Sequence, residues 1–398
     1  MKKIETAVAL CAVGAEKVVS NELRKLDLKV EDSLYGKVRF KADTAGLYRA
    51  LMGLRAADRV LLEAALFKAA DFDALFEGTG AAEWERVVPK GMGLKVVKVR
   101  ANRSQLKAET SIQSVVHKAA AQRLCGKFKI SRLPEDGKTA EVRVYIEKDM
   151  VSLLVDLSGE PLFKRGYRSE GGAAPLRETT AASLLLLSGW KRKFPLYDPF
   201  CGSGTILIEA AMYAWDMAPG LGRRFAIEDL LIADGGIEQA VREEFRGKID
   251  FTRLVRIAGS DEDARSVSIA ASNAARLRDI AGGKTPQHGI RPAASNGQDS
   301  GAADINLKAL PMAEARAPFP DEGFLVTNPP YGKRLGDPAA AERIYAEMGG
   351  LGQRFPGWKL ALITDHSGFE SFYGRKADSC REISNGAIPS YFFQYEVL

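Results

Sequence analysis

The chain has 398 residues and a mass of 43.2 kDa, more than one compact core accommodates and enough for two or three domains. Apolar residues at 46% and charged residues at 27% exclude a disordered, collagen-like or fibrous chain, and no apolar run approaches the roughly 18–20 residues needed to cross a bilayer. The net charge of +6 is modest but unevenly spread: residues 1–165 carry 30 Lys and Arg against 22 Asp and Glu, whereas residues 166–398 carry 27 against 29.

The start, Met1-Lys2-Lys3 followed by apolar residues from Ala7, imitates a secretory leader. Glu5 interrupts the apolar transition and Glu16, Lys17 and Glu22 follow at once, so a cytoplasmic location is expected. Residues 5–11 read as a strand, after which Ala15, Val18, Val19, Leu23 and Leu26 recur at helical spacing. A strand over 36–40 and a helix over 44–54 complete a small α+β unit, residues 1–64. Cys11, Cys125, Cys201 and Cys380 form no C-x-x-C pair, and His117, His288 and His366 are equally scattered. Neither a disulfide framework nor a metal site is expected, which fits a reducing compartment.

The next unit, 65–165, is basic. Residues 86–132 hold twelve Lys and Arg against one acid, Glu109. Such density suits a phosphate backbone, because each cation that neutralises a phosphate releases condensed counterions; a solvated basic face is the alternative. The candidate RNA contacts are Lys90, Lys95, Lys98, Arg100, Arg103, Lys107, Lys118, Arg123, Lys127 and Lys129. Leu94, Val96 and Val99 predict a strand, and Ile112, Val115, Val116 and Ala119 an amphipathic helix with His117 beside its apolar seam. Val142, Val144 and Ile146, then Val151, Leu153 and Val155, alternate on either side of residues 147–150, which is a hairpin pattern.

From residue 166 to 398 the pattern becomes strands alternating with helices. Strands are expected over 194–198, 254–259, 305–310, 323–327, 358–364 and 391–397, giving a doubly wound α/β sheet. Two segments interrupt it: 214–251, partly helical, and 282–304, rich in Gly, Ser, Ala, Asn and Pro and expected to be a surface loop.

Asp198-Pro199-Phe200-Cys201-Gly202-Ser203-Gly204-Thr205 stands between the first of these strands and a helix. Its glycines permit a sharp turn and close ligand approach, but the third glycine of a dinucleotide fingerprint is replaced by Leu207. An acid ahead of the glycines would repel a phosphate. It suits a ligand with an ammonium or sulfonium charge whose carboxylate meets the loop amides, a description that S-adenosylmethionine fits. At the end of the second strand, Asp261, or failing it Asp263, is placed to accept bonds from ribose hydroxyls; capping of the next helix is the alternative use.

Asn328-Pro329-Pro330-Tyr331 ends the strand at 323–327, on the carboxyl edge where open α/β sheets bind ligands. Methylating a planar exocyclic amine requires its lone pair to be freed from the ring, so the site should offer two acceptors and a flat surface. The Asn328 side-chain oxygen and the Pro329 carbonyl can be the acceptors and Tyr331 the surface, with Pro330 helping to fix the backbone.

D-P-F-C-G-S-G-T and N-P-P-Y resemble motifs of class I methyltransferases that act on exocyclic amino groups. With 164–168 (K-R-G-Y-R), 174–179 (A-P-L-R-E-T), 218–221 (A-P-G-L) and 328–335 (N-P-P-Y-G-K-R-L), nearly the whole chain is similar to bacterial THUMP-domain RNA methyltransferases, especially the large-subunit rRNA guanine-N2 enzymes. That resemblance implies a ferredoxin-like start, a THUMP domain that grips structured RNA, and a Rossmann-like domain that takes S-adenosylmethionine. It also implies secondary cofactor contacts from Arg177, Glu178 and Thr179, a segment that otherwise reads as a linker. The expected activity is methyl transfer to guanine N2 of 23S rRNA by a monomer, without metal or membrane. A tRNA substrate, adenine N6 of RNA or DNA, and RNA binding without catalysis are the alternatives. In one respect the chain departs from many relatives: residues 310–313 (L-P-M-A) offer no acid or amide to the adenine.

Overall fold

A computed structural model describes residues 3–168, 176–282, 305–330, 338–386 and 388–398. The chain begins with β1 (Glu5–Cys11), α1 (Glu16–Lys25), β2 (Lys29–Leu34), β3 (Lys37–Ala42), α2 (Thr44–Gly53) and β4 (Ala57–Lys68). The expected helical seam is real: Val18, Val19 and Leu23 of α1 are buried, and α2 starts at Asp43, whose side chain accepts from the Gly46 amide. Next come α3 (Phe72–Ala81), β5 (Gly93–Asn102), α4 (Glu109–Phe128), β6 (Thr139–Glu147) and β7 (Met150–Asp156).

These strands form one seven-stranded sheet, in the order β2-β3-β1-β4-β7-β6-β5. The strand that unifies it, β4, was not among the sequence expectations. It pairs with β1 on one side and β7 on the other and runs through residue 64, so the first two expected units share a sheet. A bulge between Glu63 and Ala65 breaks its alternation, which leaves no single period to read. The β6–β7 hairpin is as expected, turning through Lys148 and Asp149 at φ +50° and +62°, the left-handed conformations of a tight two-residue turn. In α4, Ile112, Val116, Ala119, Ala120 and Leu124 line the buried side, while His117 is exposed.

The second half comprises α5 (Glu178–Leu187), β8 (Leu196–Asp198), α6 (Thr205–Ala214), α7 (Gly235–Gly247), β9 (Ile257–Asp261), α8 (Ala264–Ala281), β10 (Ile305–Ala309) and β11 (Phe324–Thr327). It continues with α9 (Pro338–Met348), α10 (Leu351–Arg354), β12 (Lys359–Thr364), α11 (Phe369–Tyr373), β13 (Ser379–Asn385) and β14 (Ile388–Tyr395). The sheet order is β10-β9-β8-β11-β12-β14-β13, parallel from β10 to β12 and closed by an antiparallel hairpin. All six expected strands are present, with ends shifted by a few residues. The seventh, β13, is a polar edge strand with only Ile383 buried, and so carries little apolar signal. Most of the expected loop at 282–304 lies outside the described residues.

One apolar core runs through both halves, from Ala7 to Phe392. At their junction the Gly220 amide donates to the Met52 carbonyl at 2.8 Å, and a Cβ on Gly220 would lie 2.6 Å from the Met52 Cα. Only glycine permits that approach. No described helix is long and apolar enough to cross a membrane.

Candidate active site

The chain moves outward from β8 in both directions, to β9 and β10 on one side and to β11 and β12 on the other. The β8–β11 junction is therefore a topological switch point, where a crevice opens at the carboxyl ends of the strands. A cleft of about 570 Å³ opens there, within the range for small-molecule sites.

Its floor is the turn after β8. Asp198 is 2% exposed, and its Oδ1 accepts from the Phe200 amide at 3.0 Å and from the Thr327 hydroxyl at 2.6 Å. Burial pushes its carboxyl up to about 7; the two hydrogen bonds pull down and the nearby Asp261 charge pushes further up. Cys201 donates its amide to the Ser260 carbonyl, and Gly202 donates to Asp261 Oδ2, so β9 holds the turn from the side. Gly204 ends the turn at φ +81°, where a Cβ would sit 2.9 Å from that of Ala270 on α8. Asn273, also on α8, donates to the Ser203 carbonyl at 3.1 Å. Burial drives the Cys201 thiol far above its ordinary range, which removes it as a thiolate nucleophile.

Asp198, Pro199, Phe200, Gly202, Ser203, Thr205, Asp261, Asn328 and Pro330 all line this one cleft, although the motifs that carry them lie far apart in sequence. The Asn328 Oδ1 is buried and has no hydrogen-bond partner among the described residues. Pro329 is buried just beyond it, and Tyr331 lies outside the described residues.

Other expected contacts point elsewhere. Asp263 uses its carboxylate to cap α8, accepting from the Arg265 and Ser266 amides and the Ser266 hydroxyl. Arg177 pairs with Asp58 at 3.5 Å, and Thr179 donates to the same carboxylate at 2.5 Å, so both tie α5 to the N-terminal unit. Glu178 is buried and, among the described residues, is linked to the site through Arg168, which donates to it at 2.9 Å and to Ser203 Oγ and Thr205 Oγ1 at 3.3 and 3.1 Å. Of the A-P-L-R-E-T segment, Leu176 is the described residue that touches the cleft.

Sequence reasoning missed Arg168 and Thr327 as partners of the turn, and it missed Glu262, Ile344 and Glu347 on the cleft walls. Glu262 was visible beside Asp261; Ile344 and Glu347 sit on α9, which no local motif marks. The wall formed by 311–313 is held by Arg354, which donates to the Ala313 carbonyl at 2.5 Å and approaches the Met312 sulfur at 3.2 Å.

The basic residues lie apart from the cleft, on edge strand β5, on α4 and around them. Lys90, Lys95, Arg100, Arg103, Lys107, Lys118, Lys127 and Lys129 are exposed, and Lys98 is half-buried. Arg123 is committed to a two-pronged pair with Glu85 at 3.1 and 2.7 Å, and Lys127 stands 3.4 Å from the same carboxylate. No cluster of three or more His, Cys, Asp or Glu able to hold a metal occurs among the described residues.

The profile of an RMKL-like methyltransferase domain matches residues 165–280 and 276–392, and that of an RlmL ferredoxin-like domain matches residues 6–61. A Bacillus subtilis (strain 168) protein provisionally named RNA methyltransferase YpsC is 35% identical, covering 99% of this chain and 96% of its own. The ribosomal RNA large subunit methyltransferase K/L of Syntrophotalea carbinolica is 32% identical over 96% of this chain, which spans about half (52%) of that longer protein. Among solved structures, SMU.472, provisionally named a methyltransferase and crystallised with SAH, superposes with a TM-score of 0.85 at 34% identity, covering 100% of this chain and 99% of its own.

Proposed function

The chain belongs to the RMKL-like methyltransferase family, and from that premise we propose that it methylates an exocyclic amine of RNA, guanine N2 of 23S rRNA. The carrying observation is the buried Oδ1 of Asn328, without a partner among the described residues, on the wall of the cleft that also holds the glycine turn. A buried acceptor without a donor costs about 1–3 kcal/mol, and an amine N–H placed in the cleft satisfies it.

The cleft fits S-adenosylmethionine in three respects. Its volume suits a nucleoside-sized ligand, a carboxylate stands at the turn for the cationic end, and Asp261 stands at the neighbouring strand for hydroxyls. When bound, that cofactor supplies an electrophilic methyl group on a sulfonium. Asn328 Oδ1 accepts one N–H of the target amine and the Pro329 carbonyl the other, which draws the nitrogen lone pair out of conjugation. Asp198 holds the cationic end, and the glycine turn leaves backbone amides open to the carboxylate. The large-subunit ribosomal RNA follows the name of the longer S. carbinolica relative, and guanine N2 follows the family resemblance of the sequence motifs.

We read residues 1–64 as the ferredoxin-like unit, 65–165 as a THUMP RNA-binding unit and 166–398 as the catalytic domain, acting as a cytoplasmic monomer. The exposed cations around β5 and α4 are the surface offered to the RNA backbone. Mass spectrometry of nucleosides from rRNA and tRNA, in cells with and without the protein, tests the proposal. Loss of N2-methylguanosine from 23S rRNA is expected. Loss of N6-methyladenosine, or a change confined to tRNA, overturns the base or the substrate.

A further inference from the structure

Two strand ends meet at one buried hydrogen bond. Thr327 is the last residue of β11 and is fully buried; the next residue is Asn328. Its hydroxyl donates to Asp198 Oδ1 at 2.6 Å, across 129 residues of chain, and the same oxygen receives the Phe200 amide that starts the glycine turn. One carboxylate oxygen thus joins the segment that presents the target-amine acceptor to the loop that cradles the cofactor.

We propose that Thr327 is a positioning residue of the transfer reaction, its hydroxyl fixing the Asp198 carboxylate towards the cofactor's cationic end and locking the Asn328 strand end to the glycine turn. The inference rests on the methyltransferase reading of the same cleft.

The surroundings of Asp198 make that hydroxyl consequential. The charged group acting on it is another carboxylate, Asp261 at the end of β9, which disfavours its ionisation. Its other titratable neighbours are Cys201 in the turn and Tyr197 on β8. Burial raises both, and Asp198 itself adds to the rise, so both stay neutral. Two hydrogen bonds therefore favour the anion, from the Phe200 amide and the Thr327 hydroxyl, against desolvation. The amide belongs to the backbone; the hydroxyl can be removed by substitution. A cationic ligand binds the ionised form, so affinity should be lost as pH falls through the carboxyl's own titration near 7.

The test is calorimetric binding of S-adenosylmethionine to the full-length protein between pH 5.5 and 9, for wild type, Thr327→Val and Thr327→Ser. Valine keeps the volume and removes the donor; serine keeps the donor. In Thr327→Val the midpoint should rise by about one pH unit, with affinity at pH 7 reduced about fivefold, because one hydrogen bond to a charged group is worth about one pKa unit or more. Thr327→Ser should return both to wild-type values, a recovery that a purely structural role would not link to the titration. A Thr327→Val protein with the wild-type midpoint, or a Thr327→Ser protein that behaves like it, overturns the inference alone. A wild type that binds no S-adenosylmethionine at any pH overturns the methyltransferase reading as well.

Discussion

The amide of Gly202 donates to the carboxylate of Asp261 at 2.9 Å, joining the glycine turn to the end of β9. The second carboxylate oxygen accepts from the Asp263 amide at 3.0 Å. The acid proposed to meet the ribose also braces the loop proposed to meet the methionine end. In Asp261→Asn the amide group cannot accept from both N–H donors, so the turn loosens as a ribose hydrogen bond weakens. S-adenosylmethionine affinity should fall by about tenfold to a hundredfold in calorimetry, the loss of one or two charge-assisted bonds. Asp263→Ala, by contrast, removes a helix cap: it should lower the urea midpoint and leave affinity within about twofold.

Asn328→Ala removes a side-chain oxygen that has no hydrogen-bond partner among the described residues, so its loss breaks no described contact of that oxygen. Cofactor binding should stay within about twofold of wild type, while single-turnover methyl transfer to rRNA should fall by about a hundredfold or more, the scale seen when one preorganised hydrogen bond to the transition state is removed. A parallel loss of binding and transfer would remove Asn328 from its proposed role.

The difference between Asn328 and Thr327 shows what a sequence discloses about such a site. D-P-F-C-G-S-G-T and N-P-P are contiguous and sit at strand ends, where glycine and proline are local, visible constraints; the structure brings both to one cleft. Thr327 and Arg168 act through partners 129 and 37 residues away, and no local pattern marks a threonine that donates across a sheet. Asp261 and Asp263 differ only in which way each side chain points at the start of α8, a matter of two residues of backbone direction. In the fold, helices with one apolar stripe were legible, as was the β6–β7 hairpin. β4 was hidden by its bulge and β13 by its polarity. Arg177 and Thr179 turn towards Asp58 because α5 packs between the two halves, a packing outcome and not a motif.

Arg165 and Glu209 form an ion pair at 3.4 Å with side chains 2% and 0% exposed, where the linker meets α6. The Arg165 guanidinium also donates to the Leu162 and Arg55 carbonyls, and Tyr167 donates its hydroxyl to Glu209 at 3.2 Å. Arg165→Met leaves the buried Glu209 carboxylate without its ion-pair partner, with Arg55 as the remaining cation acting on it, and should cost up to about 3–5 kcal/mol in urea unfolding. The double variant Arg165→Met with Glu209→Leu removes both charges and should recover a large part of that loss, since an apolar pair avoids the desolvation of two ions. Because α6 begins at the glycine turn, the single variant should also weaken S-adenosylmethionine binding.

On the basic face, exposure and pairing divide the cations into two sets. Lys95, Lys107 and Lys118 are exposed and have no ion pair within 4.0 Å among the described residues, whereas Arg123 is bound to Glu85, whose carboxyl that guanidinium draws down to about 2. A cation already neutralised releases fewer counterions on meeting a phosphate. Changing Lys95, Lys107 or Lys118 to Glu should therefore weaken rRNA-fragment binding and flatten the dependence of log K on log salt by about one unit for each phosphate no longer neutralised. Arg123→Ala should change that slope little and instead alter stability with pH. Glu85 has a folded-state pKa below its ordinary 4.5, so the pair stabilises the fold above that value and its contribution disappears as pH falls from 4.5 towards 2. Urea midpoints of wild type and Arg123→Ala should thus differ at pH 7 and converge in acid, while filter-binding slopes stay parallel. A steep loss of slope in Arg123→Ala would place that guanidinium on the RNA instead of on Glu85.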